Sequence, residues 1–227
     1  NLEYLGGGAF KDCISLKSID IPSKVKEING DTFNNAYSLS SVTLPEGLER
    51  IGGSAFENTD SLEYIEIPST LKQIGGSAFK SSSLKEINLP NGLETIDGGA
   101  FKDCKYLTKA IIPDTVTTLG GEAFQNDGRL SEVKLSNRLT EIRGNTFEEC
   151  TSLISIIIPD DVTRIGGHAF YGTGLQNVTL TSNSKLTEIG SSAFRNCYDL
   201  KSITLPSGVS VNERAFKNSP TQIYYFN

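Results

Sequence analysis

The sequence predicts a repeat solenoid, a stack of similar coils, and two observations predict it. Ten of the eleven phenylalanines fall at Phe10, Phe33, Phe56, Phe79, Phe101, Phe124, Phe147, Phe170, Phe194 and Phe216, always 22, 23 or 24 residues apart. A leucine and two pairs of apolar residues follow most of them at fixed offsets. A closed globular core has no use for so regular a spacing, whereas stacked coils must each present the same apolar wedge to the coil on either side. Residues 1–227 are therefore expected to form one elongated unit of about ten coils.

The elements follow in order within each coil. Six residues after phenylalanine comes leucine at Leu16, Leu39, Leu62, Leu107, Leu130, Leu153 and Leu200, and after only five at Leu84 and Leu175. Next come apolar pairs in alternation, such as Ile19/Ile21, Val42/Leu44, Ile65/Ile67, Ile87/Leu89, Ala110/Ile112, Val133/Leu135 and Ile156/Ile158. That is the period-2 pattern of a short strand with one face buried. Nine such strands predict one continuous parallel sheet, with coils ~4.8 Å apart. Proline then ends most strands, from Pro22 to Pro206, with Ser136 and Thr181 in its place twice. Having no N–H and a fixed φ, it suits a corner.

A second apolar pair follows the corner, for example Leu48/Ile51 or Val162/Ile165, and then a recurring glycine at Gly7, Gly30, Gly53, Gly76, Gly98, Gly121, Gly144 and Gly167. The simplest expectation for that glycine is a positive φ. Ala-Phe opens the next coil in what reads as one helical or 3₁₀ turn. Asp12, Asn35, Asn58, Asp103, Asn126, Asn196 and Asn218 stand two residues later, where a polar side chain satisfies backbone donors at the end of a turn. Two stretches are irregular: Thr181–Ser184 is a polar bulge at a corner, and Val209-Ser210-Val211 replaces the usual pair and glycine.

The pattern Leu-x-x-Ile-x-Leu-Pro-x-x-Leu-x-x-Ile-Gly-x-x-Ala-Phe-x-x-Cys resembles the leucine-rich repeats of the BspA-like, or Treponema pallidum, subclass. Leu62 to Phe79 and Leu153 to Phe170 match it nearly letter for letter, and the resemblance runs through essentially the whole chain. It implies a right-handed, curved leucine-rich-repeat stack, with a parallel β-sheet on one face and short strands or 3₁₀ turns on the other. It also implies a surface or secreted protein, extracellular or at the cell surface, used in adhesion or partner recognition. Asn1 to Leu5 already sit inside a repeat, so the chain reads as a fragment of a larger protein.

Composition narrows the partner. A net charge of −6 argues against nucleic acid or an anionic membrane, which favour a basic face. No apolar run approaches the ~18 residues of a membrane span.

Catalytic and metal chemistry find no support. Cys13, Cys104, Cys150 and Cys197 all stand three residues after a repeat phenylalanine, in coils that are never neighbours. The closest pairs are then ~10 Å apart by strand spacing, beyond the ~7 Å between Cα atoms that a disulfide spans. Free, buried thiols acting as small hydrophobes are expected. His168, the only histidine, occupies a variable turn position and lacks a partner for metal binding or general-base work. The Gly-Gly pairs recur without Gly-Lys-Ser/Thr, so they are turn chemistry rather than phosphate loops. Glu148/Glu149 and Asp160/Asp161 lie at corners as solvated faces. Asn177-Val178-Thr179 fits a glycosylation sequon, with Asn177 projecting from the sheet. No enzyme, cofactor or metal is expected.

Specificity belongs to residues that do not repeat. The outward positions of the strands form two columns. One holds Ser18, Ser41, Tyr64, Glu86, Lys109, Glu132, Ser155, Asn177 and Ser202; the other holds Asp20, Thr43, Glu66, Asn88, Ile111, Lys134, Ile157, Thr179 and Thr204. The ends are small and polar, whereas the middle carries apolar side chains among charges, the character of a partner-binding patch. The candidate site is Tyr64, Glu66, Lys109, Ile111, Glu132, Lys134 and Ile157, for a protein or glycan ligand. The alternatives are that β-branched residues stand there only because strands favour them, and that the repeats are a structural spacer without a ligand.

Overall fold

The computed structural model describes residues 2–226. Coils stack along the phenylalanine column, and numbering them by their phenylalanines makes Phe10 coil 1 and Phe216 coil 10. Successive rings lie nearly parallel, with centroids 5.1–5.6 Å apart at every step. Rings from Phe33 to Phe194 are completely buried, while Phe10 and Phe216 are half-buried at the two ends. The repeat leucines and both apolar pairs close around this column, so the core is a rod rather than a ball.

Coils 1–9 each have a back strand and a front segment. The back strands are two residues long and pair in parallel. Glu27–Ile28, Arg50–Ile51, Gln73–Ile74, Thr95–Ile96 and Thr118–Leu119 form one five-stranded sheet. Glu141–Ile142, Arg164–Ile165, Glu188–Ile189 and Ser210–Val211 form a second, four-stranded one.

The front sheet departs from the continuous ladder that the alternation predicts. Its strands join only as parallel pairs: Ser18–Asp20 with Ser41–Thr43, Lys109–Ile111 with Glu132–Lys134, Ser155–Ile157 with Asn177–Thr179, and Ser202–Pro206 with Gln222–Phe226. Coils 3 and 4 contribute no front strand, and Tyr64–Ile67 and Glu86–Leu89 run there without a ladder. Between coils 2 and 5 the front stays open over a continuous back ladder, whereas coils 1 and 2, and coils 7 and 8, pair on both sides. Where the back breaks, between Thr118–Leu119 and Glu141–Ile142, a front pair closes instead.

The phenylalanine turn is not helical either. Alternate amides donate to the neighbouring coil, as Phe56 N–H does to Ala78 O (2.7 Å) and Asn58 N–H to Lys80 O (2.9 Å). The amides between them close i to i−3 turns, as Glu57 N–H does onto Ser54 O. This zigzag places a left-handed residue two before each ring from Phe10 to Phe194 and two after every ring. Asp31, Ser54, Ser77, Glu122, Asn145, His168 and Ser192 supply the first position, with φ of 53–62°. Asp12, Asn35, Asn58, Ser81, Asp103, Asn126, Glu149, Asn196 and Asn218 supply the second, where Asn and Asp tolerate positive φ best.

The recurring glycine therefore serves a different purpose from the one its spacing suggests. From Gly7 to Gly167, none of these glycines has a positive φ. They permit close approach: a Cβ on Gly53 would stand 3.3 Å from Gly76 O. The glycine before it is tighter still, and a Cβ on Gly120 would reach 2.2 Å from Gly98 N. Asp97 occupies that tight position in coil 4 without breaking the back ladder, so glycine is not needed in every coil. The Asn and Asp side chains do more than cap turns. Asn58 Nδ2 donates to Asn35 Oδ1 and Asn35 Nδ2 to Asp12 Oδ1, both at 2.8 Å, an amide ladder along the flank.

Candidate functional site

The opening of the front sheet shapes the most distinctive surface. Over coils 3 and 4, Tyr64, Glu66, Glu86 and Asn88 line a cavity of about 280 Å³. Glu86 and Asn88 also line a second cavity of about 420 Å³, with Lys109, Ile111, Lys134 and Asp114 on its far side. The two shared residues join the cavities into one groove across coils 3–6.

Five of the seven candidate residues meet here: Tyr64, Glu66, Lys109, Ile111 and Lys134. Tyr64 is 58% exposed, with the Lys85 ammonium 5.9 Å from its ring centre. Ile111 is half-buried in the groove floor rather than projecting freely. Glu132 is drawn into an ion pair with Lys109 (2.7 Å) and lines neither cavity. Ile157 is 66% exposed in coil 7, outside both cavities. Glu86 and Asn88 are the residues that the apolar emphasis of the candidate site passed over. Their outward register was legible, but their central place depends on the open ladder.

Charge separates this groove from the back. There Arg50 bonds both Glu27 and Gln73, while Arg164 lies between Glu141 (2.7 Å) and Glu188 (3.1 Å). The back is thus largely self-neutralised. In the groove, Glu66, Glu86 and Lys134 have no ion pair among the described residues. Exposed pairs contribute little to stability, but unpaired charges beside apolar surface favour a complementary partner.

The small slot three residues after the phenylalanine holds all four cysteines. The cysteines are free as expected, with Cys13 half-buried and the others buried. They also donate hydrogen bonds, which a simple hydrophobe does not. Cys104, Cys150 and Cys197 Sγ point at the carbonyls of Phe79, Phe124 and Phe170, each at 3.1 Å. Burial pushes the Cys104 and Cys150 thiols well up and Cys197 to about 11, so none is an activated nucleophile. His168 is half-buried, tilted against Tyr171. Asn177 is exposed on its strand. Among the described residues, no group of three or more His, Cys, Asp or Glu is placed to hold a metal ion, and no helix is long and apolar enough to cross a membrane.

The model of the BspA type leucine rich repeat region matches residues 3–130 and 117–227, nearly the whole chain. A leucine-rich cell surface protein from Faecalibacterium prausnitzii is similar in structure, with 28% identity and a TM-score of 0.52 over 96% of this chain. The chain spans 62% of that protein's length. The pneumococcal vaccine antigen PcpA (22% identity, TM-score 0.53, 93% of this chain and 69% of that one) shares the fold. So does a leucine-rich repeat protein from Eubacterium ventriosum (20%, 0.57, 96% and 80%). No curated protein matches the chain in sequence.

Proposed function

We propose, from the premise that the chain belongs to the BspA-type leucine-rich repeat family, that it is a non-enzymatic recognition module of a surface or secreted protein. Its partner, a protein or glycan, would lie in the front groove across coils 3–6. The observation that carries this reading is the run of unpaired charges Glu66, Glu86 and Lys134 beside Tyr64 and Ile111, on a scaffold whose back neutralises itself. Similarity to a protein described as a cell surface protein supports the location.

The test is a triple change, Tyr64→Ala, Glu66→Ala and Lys134→Ala. All three side chains are exposed, so melting is expected to stay within a few degrees of wild type, because surface changes are usually within about ±0.5 kcal/mol. Partners captured by the wild-type chain from extracts of cells and extracellular matrix should be lost by this variant. Retention of the same partner by the variant would refute the groove. Capture of nothing by either chain would favour a spacer.

A further inference from the structure

A separate site stands on the flank, independent of the front groove. In coils 4 and 8 the repeat leucine follows phenylalanine by five residues instead of six, at Phe79/Leu84 and Phe170/Leu175. The missing residue shortens the corner that leads into the front segment, and a notch opens beside each shortened corner. The first is about 600 Å³ and lies between Ser81–Ser83 of coil 4, Asp60 of coil 3, and Asp103, Lys105 and Tyr106 of coil 5. The second is about 380 Å³ and lies between Gly172–Gly174 of coil 8, Glu149 of coil 7, and Asn196, Tyr198 and Asp199 of coil 9.

The two notches share three features built from different residues, and the first alone adds a cation, Lys105. Each has a floor of small residues, a tyrosine supplied by the following coil, and carboxylates on the coils either side. Tyr106 is 45% and Tyr198 63% exposed, so a ring borders each opening. Arg129, from the coil beyond, lies 5.2 Å from the centre of the Tyr106 ring and backs it. Among the described residues, the side chains of Asp60, Glu149 and Asp199 make no hydrogen bond or ion pair, so their acceptor oxygens are free. Asp103 keeps one oxygen on Asn126 Nδ2 (2.9 Å), which fixes its orientation. Glu149 leans over Gly172, where a Cβ would fall 2.6 Å from its Oε1.

An open, shallow, polar cleft bordered by one aromatic ring and several acceptors suits a pyranose. The C–H face of the sugar packs on the ring, and its hydroxyls donate to carboxylates and serine or amide oxygens. The carboxylates disfavour uronic and sialic acids, whose own charge they repel. From these two notches we infer that the flank of the solenoid binds neutral pyranose units of a polysaccharide. The notches are four coils, or ~20 Å, apart. One long glycan or two branches can therefore engage both, and the second contact gains from the first by effective concentration.

Affinity electrophoresis through gels containing soluble glucan, mannan or galactan, with alginate as the anionic control, tests this. Retardation by at least one neutral polysaccharide is expected, with little by alginate. Tyr106→Ala and Tyr198→Ala should each weaken it roughly tenfold, and the double variant should abolish it. Asp60→Asn with Asp199→Asn should weaken it as well, by removing acceptor charge without removing bulk. One asparagine inserted between Ser83 and Leu84 restores the length of the neighbouring coils and should close the first notch. The front-groove change Glu66→Ala with Lys134→Ala should leave retardation untouched, so the two sites fail separately. No retardation by any neutral polysaccharide, equal retardation of the double tyrosine variant, or retardation by alginate alone would overturn the inference.

Discussion

The Cys104 amide donates to Asp127 Oδ1 across the boundary between coils 5 and 6, at 2.8 Å. This is the boundary where the back ladder is interrupted, so a side chain helps to hold it. Asp127 is completely buried, and its other oxygen, Oδ2, has no partner. The slot it fills belongs in other coils to Cys, Thr, Ser or Ala. Burial, offset only in part by the Cys104 amide, holds its carboxyl well above the ordinary value of 3.8, and the neighbouring Asp103 raises it further.

The sign of the pH dependence follows. An acid whose pKa is higher folded than unfolded keeps its proton in the fold after the unfolded chain has lost it. Stability is then fullest below about 3.8 and falls as pH rises from there towards the folded value. Cys104 and Cys150, from the coils on either side, are neutral across this range because burial raises both thiols. Glu149, also raised by burial, adds a smaller slope of the same sign. Asp127→Ser should flatten the dependence and raise stability at pH 7 by about 1–3 kcal/mol, the usual cost of an unsatisfied buried polar group. Urea melts of both chains from pH 4 to pH 8 check this.

Phe101→Ala removes a fully buried ring from mid-column, with neighbours stacked on both faces at 5.5 and 5.3 Å. The expected loss is about 3–5 kcal/mol. Phe216→Ala, at the half-buried end with one stacked neighbour, should cost clearly less. Chemical denaturation of the two variants in parallel gives the comparison.

Gly120→Ala would drive a Cβ into the backbone of the preceding coil, 2.2 Å from Gly98 N. Overpacking of this kind costs about 1–3 kcal/mol. Gly6→Ala is the control: its Cβ would meet nothing closer than the Tyr4 ring at 3.9 Å, and its φ is not positive. Thermal melts should show a clear drop for the first variant and little for the second.

Alkylation without reductant should add four groups to the denatured chain, because all four thiols are free. In the native chain Cys13, the half-buried one, should react first, and Cys104 and Cys150 should stay protected. Fewer than four adducts under denaturing conditions would mean that a disulfide exists. Intact-mass spectrometry reads both states.

Much of this molecule was legible in its repeats, because side chains that must stack recur at the interval of the coil. The phenylalanine column, the leucines, the corner prolines and the small slot of the cysteines all stand where their spacing put them. The left-handed positions did not show, because they are filled by residues as different as Ser54, Glu122 and His168. Backbone demand alone unites them, and the glycine beside them drew the attention. The front sheet misled for another reason. Tyr64-Ile65-Glu66-Ile67 is better strand sequence than Lys109-Ala110-Ile111, yet only the second pairs. A ladder needs two coils to meet in register, and no single coil encodes that. Hence the outward columns named Tyr64, Glu66, Lys109, Ile111 and Lys134, but not the groove that gathers them around Glu86 and Asn88.

The central claim is that recognition belongs to the front groove and not to the self-neutralised back. A photoactivatable residue placed in turn at Tyr64, Glu86 and Lys134 on the front, and at Arg50, Thr117 and Arg164 on the back, tests it most directly. After irradiation in the presence of cell-surface and matrix extracts, the three front positions should yield adducts with one and the same partner, and the back positions none. Adducts to that partner from the back positions, or none from the front, would contradict the account.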